Sequence, residues 1–220
     1  MQARGASATT RQPASHRAHE AIKELILMGE IAPLSQIDEL DLRERLDLGR
    51  TPIREALQRL AYDGLVTIVP FRGAIVSGID LSDIDRIIEV RIPLEILAAR
   101  LAAERATVDA IEELREELAQ YNVTQLCERG DFVQLLRLDQ AMHDGIAILS
   151  DNKFLVRDLQ RLRDLTWRFH VLYYRRRRPT VDDSFNNYDR LLDALAAQDP
   201  DHMENMVREH FRDYQLGFPK

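Results

Sequence analysis

The stretch Gly49-Arg50-Thr51-Pro52-Ile53-Arg54-Glu55-Ala56-Leu57-Gln58-Arg59-Leu60 sets cationic donors beside an apolar stripe. At helical period, Ile53, Ala56, Leu57, Leu60 and Ala61 recur at the spacing of a buried face. Arg50, Thr51, Arg54 and Gln58 project from another side, with the arginines gathered at the start. Thr51 can act as N-cap, which puts Pro52 at the first helical position, where its missing N–H costs nothing. Positive charge at a helix N-terminus opposes the macrodipole, so an anionic partner docking at that end would account for the arginines. Arginine suits both DNA phosphates and guanine edges, and helix-turn-helix proteins read bases with the N-terminal residues of their second helix. Taken alone, the stretch also fits a solvated basic face.

Such a helix reads DNA only if its neighbours hold it. Ala18, Ile22, Leu25 and Ile26 predict a first amphipathic helix, ended by Gly29 and by Pro33 beyond it. Asp38 caps a short second helix through Leu46, with Leu42 and Leu46 inward. The turn Asp47-Leu48-Gly49 then leads into the Arg50–Asp63 helix, a helix-turn-helix arrangement. Gly64 stops that helix. Leu65–Val69 and Ala74–Ser77 are β-rich runs separated by Pro70-Phe71-Arg72-Gly73, which predicts a hairpin and makes the module winged. Arg72 at the tip suits a narrow, electronegative minor groove, although a solvated turn arginine fits the same residues.

From Leu81 onward only helix is signalled. Six amphipathic segments are expected: Leu81–Ala106, Val108–Cys127, Phe132–Leu149, Phe154–Tyr174, Asp182–Ala197 and about Asp201–Leu216. Pro93 should kink or split the first. The fold class is therefore mostly α: an N-terminal winged helix-turn-helix over residues 15–78 and a C-terminal all-α antiparallel helical bundle over residues 79–220. Residues 1–14, rich in Ala, Ser and Thr without apolar period, read as a disordered arm. The run Arg175-Arg176-Arg177-Arg178 lies at a helix end before Pro179, where positive charge complements the dipole.

The chain carries a net charge of -7, which argues at first against nucleic acid. Residues 1–78 hold 10 Lys/Arg and 10 Asp/Glu, whereas residues 79–220 hold 20 and 27, so the acidity belongs to the second part alone. A neutral first part can still present a local basic face. Cys127 is the single cysteine, which rules out an internal disulfide framework and fits a reducing cytoplasm. No run reaches the roughly 18 apolar residues of a membrane span, and the N-terminus lacks an apolar signal core.

Arg50-Thr51-Pro52-Ile53-Arg54-Glu55-Ala56-Leu57, then Arg59-Leu60, Asp63-Gly64-Leu65-Val66, Pro70 and Arg72-Gly73, resemble the winged helix of GntR-type bacterial transcription regulators. The helical remainder, with Arg91, Glu95 and Asp139-x-x-x-His143, is similar to the effector domain of the FadR subfamily, also termed the FCD domain. The resemblance implies a homodimer on an inverted-repeat DNA operator, with an effector in the bundle altering DNA affinity. It implies DNA contacts from Arg50, Thr51 and Arg54 on the recognition helix and from Arg72 and Gly73 on the wing. Two departures stand out: Gly49 replaces a usual Ser or Thr, and Leu34 replaces the usual glycine after Pro33.

Many members hold a divalent metal of the zinc, nickel or manganese type through one Asp and three His. Asp139, His143 and His210 match three of these ligands, while Tyr188 stands where the middle histidine is expected. A neutral phenol is a poor ligand for such ions. If the metal is lost, the Tyr188 hydroxyl should instead bond His143 or His210. Asp139 and His143 also fit a plain helical ion pair. Arg91 suits a small organic acid as effector, and Tyr188 would share that pocket; the competing expectation is a surface Arg91–Glu95 pair. Two other functions compete with an effector-controlled regulator: a small metal-dependent enzyme using Asp139, His143 and His210, or a ligand-free dimerising scaffold.

Overall fold

The computed structural model describes residues 12–78, 80–175 and 188–217. The chain divides after Gly78 into two compact units. No helix among the described residues is long and apolar enough to cross a membrane.

The N-terminal unit contains α1 (Ala14–Leu27), α2 (Glu39–Leu46), α3 (Arg50–Tyr62), β1 (Val66–Val69) and β2 (Gly73–Val76). Ala18, Ile22 and Ile26 of α1 and Ile53, Ala56, Leu57 and Leu60 of α3 are buried, as their helical spacing requires. Leu27 is buried on α1, whereas Leu25 is only half-buried. Asp38 caps α2, its carboxylate accepting from the N–H groups of Leu40 at 2.8 Å and Asp41 at 3.2 Å. α3 starts two residues earlier than a Thr51 cap would place it. Gly49, not Thr51, is the N-cap, and no side chain caps this end. Pro52 consequently sits in the first turn but not at its first position, where its missing N–H still costs nothing.

β1 and β2 pair antiparallel, Val66 opposite Val76 and Val69 opposite Gly73. The segment after α1 runs along β2: Ile37 N donates to Ala74 O at 2.8 Å and Leu34 N to Val76 O at 2.9 Å. Leu34 has φ 66°, a left-handed conformation that glycine adopts without strain. That is the physical content of the glycine expected there.

The C-terminal unit holds α4 (Leu81–Arg105), α5 (Val108–Ala119), α6 (Val123–Arg129), α7 (Phe132–Leu149), α8 (Lys153–Tyr174), α9 (Tyr188–Ala196) and α10 (Pro200–Gly217). There are thus seven helices among the described residues where six were expected. The segment Val108–Cys127 is broken because Asn122 starts a new helix, its Oδ1 accepting from Gln125 N at 2.9 Å. Pro93 does not split α4, which runs as one helix through it. α4 is central, packing against α7, α8, α9 and α10. A Cβ on Gly145 would run into the Leu114 side chain, so α5 and α7 approach closely at this glycine and a larger residue would have to displace Leu114. Residues 1–11 of the expected arm, Arg176–Arg178 of the arginine run and Asp182–Asn187 of the fifth expected helix lie outside the described residues.

Candidate functional site

On the N-terminal unit, Arg50, Thr51, Arg54 and Gln58 are all exposed along one side of α3. Arg54 does not hang free. Its Nε donates to Glu39 Oε2 at 3.0 Å, from the first residue of α2. A groove of about 450 Å³ joins this helix to the wing, with Arg54 and Gln58 on one side and Phe71 and Gly73 on the other. Arg72 and Gly73 stand at the tip, which is pinned by Gln36 Nε2 donating to the Arg72 carbonyl at 2.7 Å. Glu39 and Gln36 are the residues that sequence reading passed over. They lie 15 and 36 positions from their partners, beyond any local period.

Inside the bundle, Glu95 is a hub. Its Oε1 accepts from Arg91 Nε at 3.0 Å and from an Arg163 terminal nitrogen at 3.2 Å, and its Oε2 accepts from His143 Nδ1 at 3.1 Å. Arg163 reaches on to Asp144, and Arg91 donates to Thr166 Oγ1 at 3.4 Å. The Arg91 guanidinium also lies 5.2 Å over the Phe211 ring. The expected Arg91–Glu95 pair therefore exists, but not on the surface: the two residues are each only 2% exposed. Burial alone would raise the Glu95 carboxyl, but the charges of His143, Arg91 and Arg163 outweigh it and hold the group far below its usual range.

One turn along α7 lies the second cluster. Asp139, His143 and His210 each offer a ligand atom, all within 4.8 Å of one another. His143 Nε2 and His210 Nε2 stand 3.8 Å and 3.7 Å from Asp139 Oδ1. Tyr188 closes one side, its hydroxyl donating to Asp139 Oδ1 at 3.4 Å. Its partner is thus the carboxylate and neither histidine, because an ionised acid is the stronger acceptor. Burial, then the Asp139 charge, pushes the phenol well above its ordinary value, so it stays a neutral donor. His210 is lowered to about 4, by burial first and by the nearby His143 second. His170 on α8, which no sequence signal marked, is also buried and lowered to about 4, by burial first.

These residues fit a divalent ion as an open three-ligand set. His210 is neutral at neutral pH, as a ligand must be. His143 has its other ring nitrogen fixed on a carboxylate, the usual support for a metal-binding histidine. A cavity of about 370 Å³ reaches Tyr188 from outside, between Tyr121, Leu138 and Leu192.

Residues 14–76 match the gntR family of bacterial regulatory proteins, and residues 86–213 match the FCD domain. The uncharacterized HTH-type transcriptional regulator YdhC of Bacillus subtilis is 26% identical over 195 residues, 88% of this chain and 85% of its own length. The HTH-type transcriptional regulator McbR of Escherichia coli is 27% identical over 193 residues, 86% of this chain and 85% of its own. The solved structure of Escherichia coli McbR/YncC superposes with a TM-score of 0.81 at 24% identity, over 94% of this chain and 100% of that one. That likeness speaks to the fold alone.

Proposed function

This chain belongs to the GntR family of transcription regulators and carries an FCD domain, and on that premise we propose that it is an effector-controlled, homodimeric regulator. DNA binding and transcription regulation come with the family, and the named relatives are regulators, not enzymes. In the proposed mode, two copies bind an inverted repeat, Arg50, Thr51, Arg54 and Gln58 reading the major groove and Arg72 and Gly73 steadying the wing. A small organic acid enters beside Tyr188 and shifts the affinity for DNA. The observation that carries this reading is the convergence of Asp139, His143 and His210 under the Tyr188 hydroxyl, beside a buried charge network.

Held by Asp139, His143 and His210, an ion of the zinc, nickel or manganese type would supply a positive centre for a carboxylate. The protein's own residues do the rest. Tyr188 orients Asp139, and Glu95 fixes the tautomer of His143. Arg91 is already met by Glu95, so it acts by setting the local field and is a poor sole anchor for an acid. An effector can act only through different affinities for the DNA-competent and DNA-incompetent dimers. Dimerisation is supported by Val90, Leu94, Leu97 and Leu101 on α4, whose 4-3-4 spacing makes one stripe. Val90 and Leu97 on that stripe are exposed.

The test is a gel-shift titration on duplexes selected from random DNA, with and without a panel of organic acids. Metal content of the wild type and Tyr188→His is measured alongside, on tag-free protein. At least one acid should change the affinity for DNA, and Tyr188→His should hold more metal. Equal metal in both proteins, unchanged also by His143→Ala, would remove the metal; no response to any acid would remove the organic-acid effector.

A further inference from the structure

The wing tip carries a residue that its turn chemistry disfavours. Val69 O accepts from Arg72 N at 3.1 Å, closing a four-residue turn with Pro70 second and Phe71 third. Phe71 has φ 63°. Proline followed by a positive φ is the type II pattern, whose third position belongs to glycine or asparagine. Phenylalanine there is strained, and the fold returns nothing for it: Phe71 is 109% exposed. Hairpin strand ends can hide an aromatic ring against the sheet, and this one does not.

The surroundings say what kind of partner would use it. Arg72 is its neighbour, and the same groove that Phe71 borders is lined by Arg54 and Gln58 of the recognition helix. The tip is held from two sides, by the turn bond and by Gln36 on the Arg72 carbonyl, so the ring is presented on a rigid support. An arginine beside a presented apolar side chain is the equipment of a minor-groove binder. The cation follows groove width, and the apolar group wedges between base steps and kinks the duplex.

We propose that Phe71 is an apolar wedge that enters the operator minor groove beside Arg72, opens one base step in each half-site and bends the DNA. The proposal rests on the DNA-binding role of the N-terminal unit and adds a contact that reads deformability. Pyrimidine–purine steps, which kink easily, should be favoured under the wing over stiff A-tracts.

The experiment uses the full chain and duplexes selected by the wild type from random DNA, with 2-aminopurine at the steps flanking each half-site and dyes at both ends. Phe71→Gly suits the left-handed backbone and removes only the ring, Phe71→Ala removes the ring with strain retained, and Phe71→Leu keeps a wedge. Wild type should raise 2-aminopurine fluorescence and shorten the end-to-end distance. Phe71→Gly and Phe71→Ala should lose both signals and about tenfold in affinity, with Phe71→Leu retaining most of each. Their salt dependence should match that of wild type, whereas Arg72→Ala should reduce the salt slope by about 1. Thermal unfolding of Phe71→Gly no lower than wild type would exclude a folding defect. Wild-type affinity, bend and fluorescence in Phe71→Gly would overturn the wedge and leave DNA binding intact. Failure of the wild type to select any duplex would overturn the DNA-binding reading along with it.

Discussion

Arg54 and Arg91 make the same bond in different media. Each donates through Nε to a glutamate oxygen at 3.0 Å. The Arg54–Glu39 side chains are 53% and 30% exposed, those of Arg91 and Glu95 3% and 2%. In water the first pair is worth at most about 1 kcal/mol and a phosphate or guanine can displace the glutamate. In the bundle, desolvation has already been incurred, and removing one partner strands the others. The same chemistry is a replaceable contact on α3 and a fixture in the bundle. An interface that must exchange partners keeps its charges wet.

The comparison makes its largest prediction at Glu95. Glu95→Ala leaves Arg91, Arg163 and His143 without their shared acceptor and should cost about 3–5 kcal/mol in urea unfolding. Glu39→Ala should cost about 1 kcal/mol or less. Similar losses in the two variants would break the contrast.

Acid should act on the bundle in the same sense. Burial lowers His170 and His210 from their ordinary 6.5 to about 4, so both are neutral in the folded chain above that pH. The unfolded chain therefore takes up their protons first as pH falls, so their contribution is complete above about 6.5 and lost between 6.5 and 4. Glu95 and Asp139, both lowered, lose theirs only as pH falls below their ordinary values of 4.5 and 3.8. The melting temperature, measured with chelator, should fall through the upper window, and His170→Gln should flatten that fall.

On the wet side, stability and function should separate. Arg54→Ala should leave the melting temperature in place, cost about 1–3 kcal/mol of operator affinity and relax choice at one base pair per half-site. Arg72→Ala should weaken all sequences more evenly. Gel shifts at fixed salt check both, and unchanged operator affinity in Arg54→Ala would remove its base-reading role.

The smallest effect belongs to Leu34, exposed and left-handed. Leu34→Gly relieves backbone strain while adding freedom to the unfolded chain, so the net change should stay within about 1 kcal/mol, measured by urea unfolding.

Much of the N-terminal unit was legible because its signals are local. The stripe Ile53, Ala56, Leu57 and Leu60 determines which side of α3 is buried, and hence that Arg50, Arg54 and Gln58 face out. The Asp38 cap and the two β-rich runs are equally short-range. The strained φ of Phe71 was missed there because Pro-Phe-Arg-Gly reads as a turn without revealing which residue takes the positive angle. In the bundle, periodicity likewise says which stripe of each helix turns inward. It does not say which stripes meet. Only the packed helices bring His143 and Arg163 to Glu95 across 48 and 68 positions, and Tyr188 to Asp139 across 49. Burial then decides what those meetings are worth, since it removes the water that would otherwise screen them. The residue types that can bind DNA or a metal are a property of the sequence; whether their charges stay available or are locked against one another is a property of the tertiary structure, because only packing sets distance and dielectric.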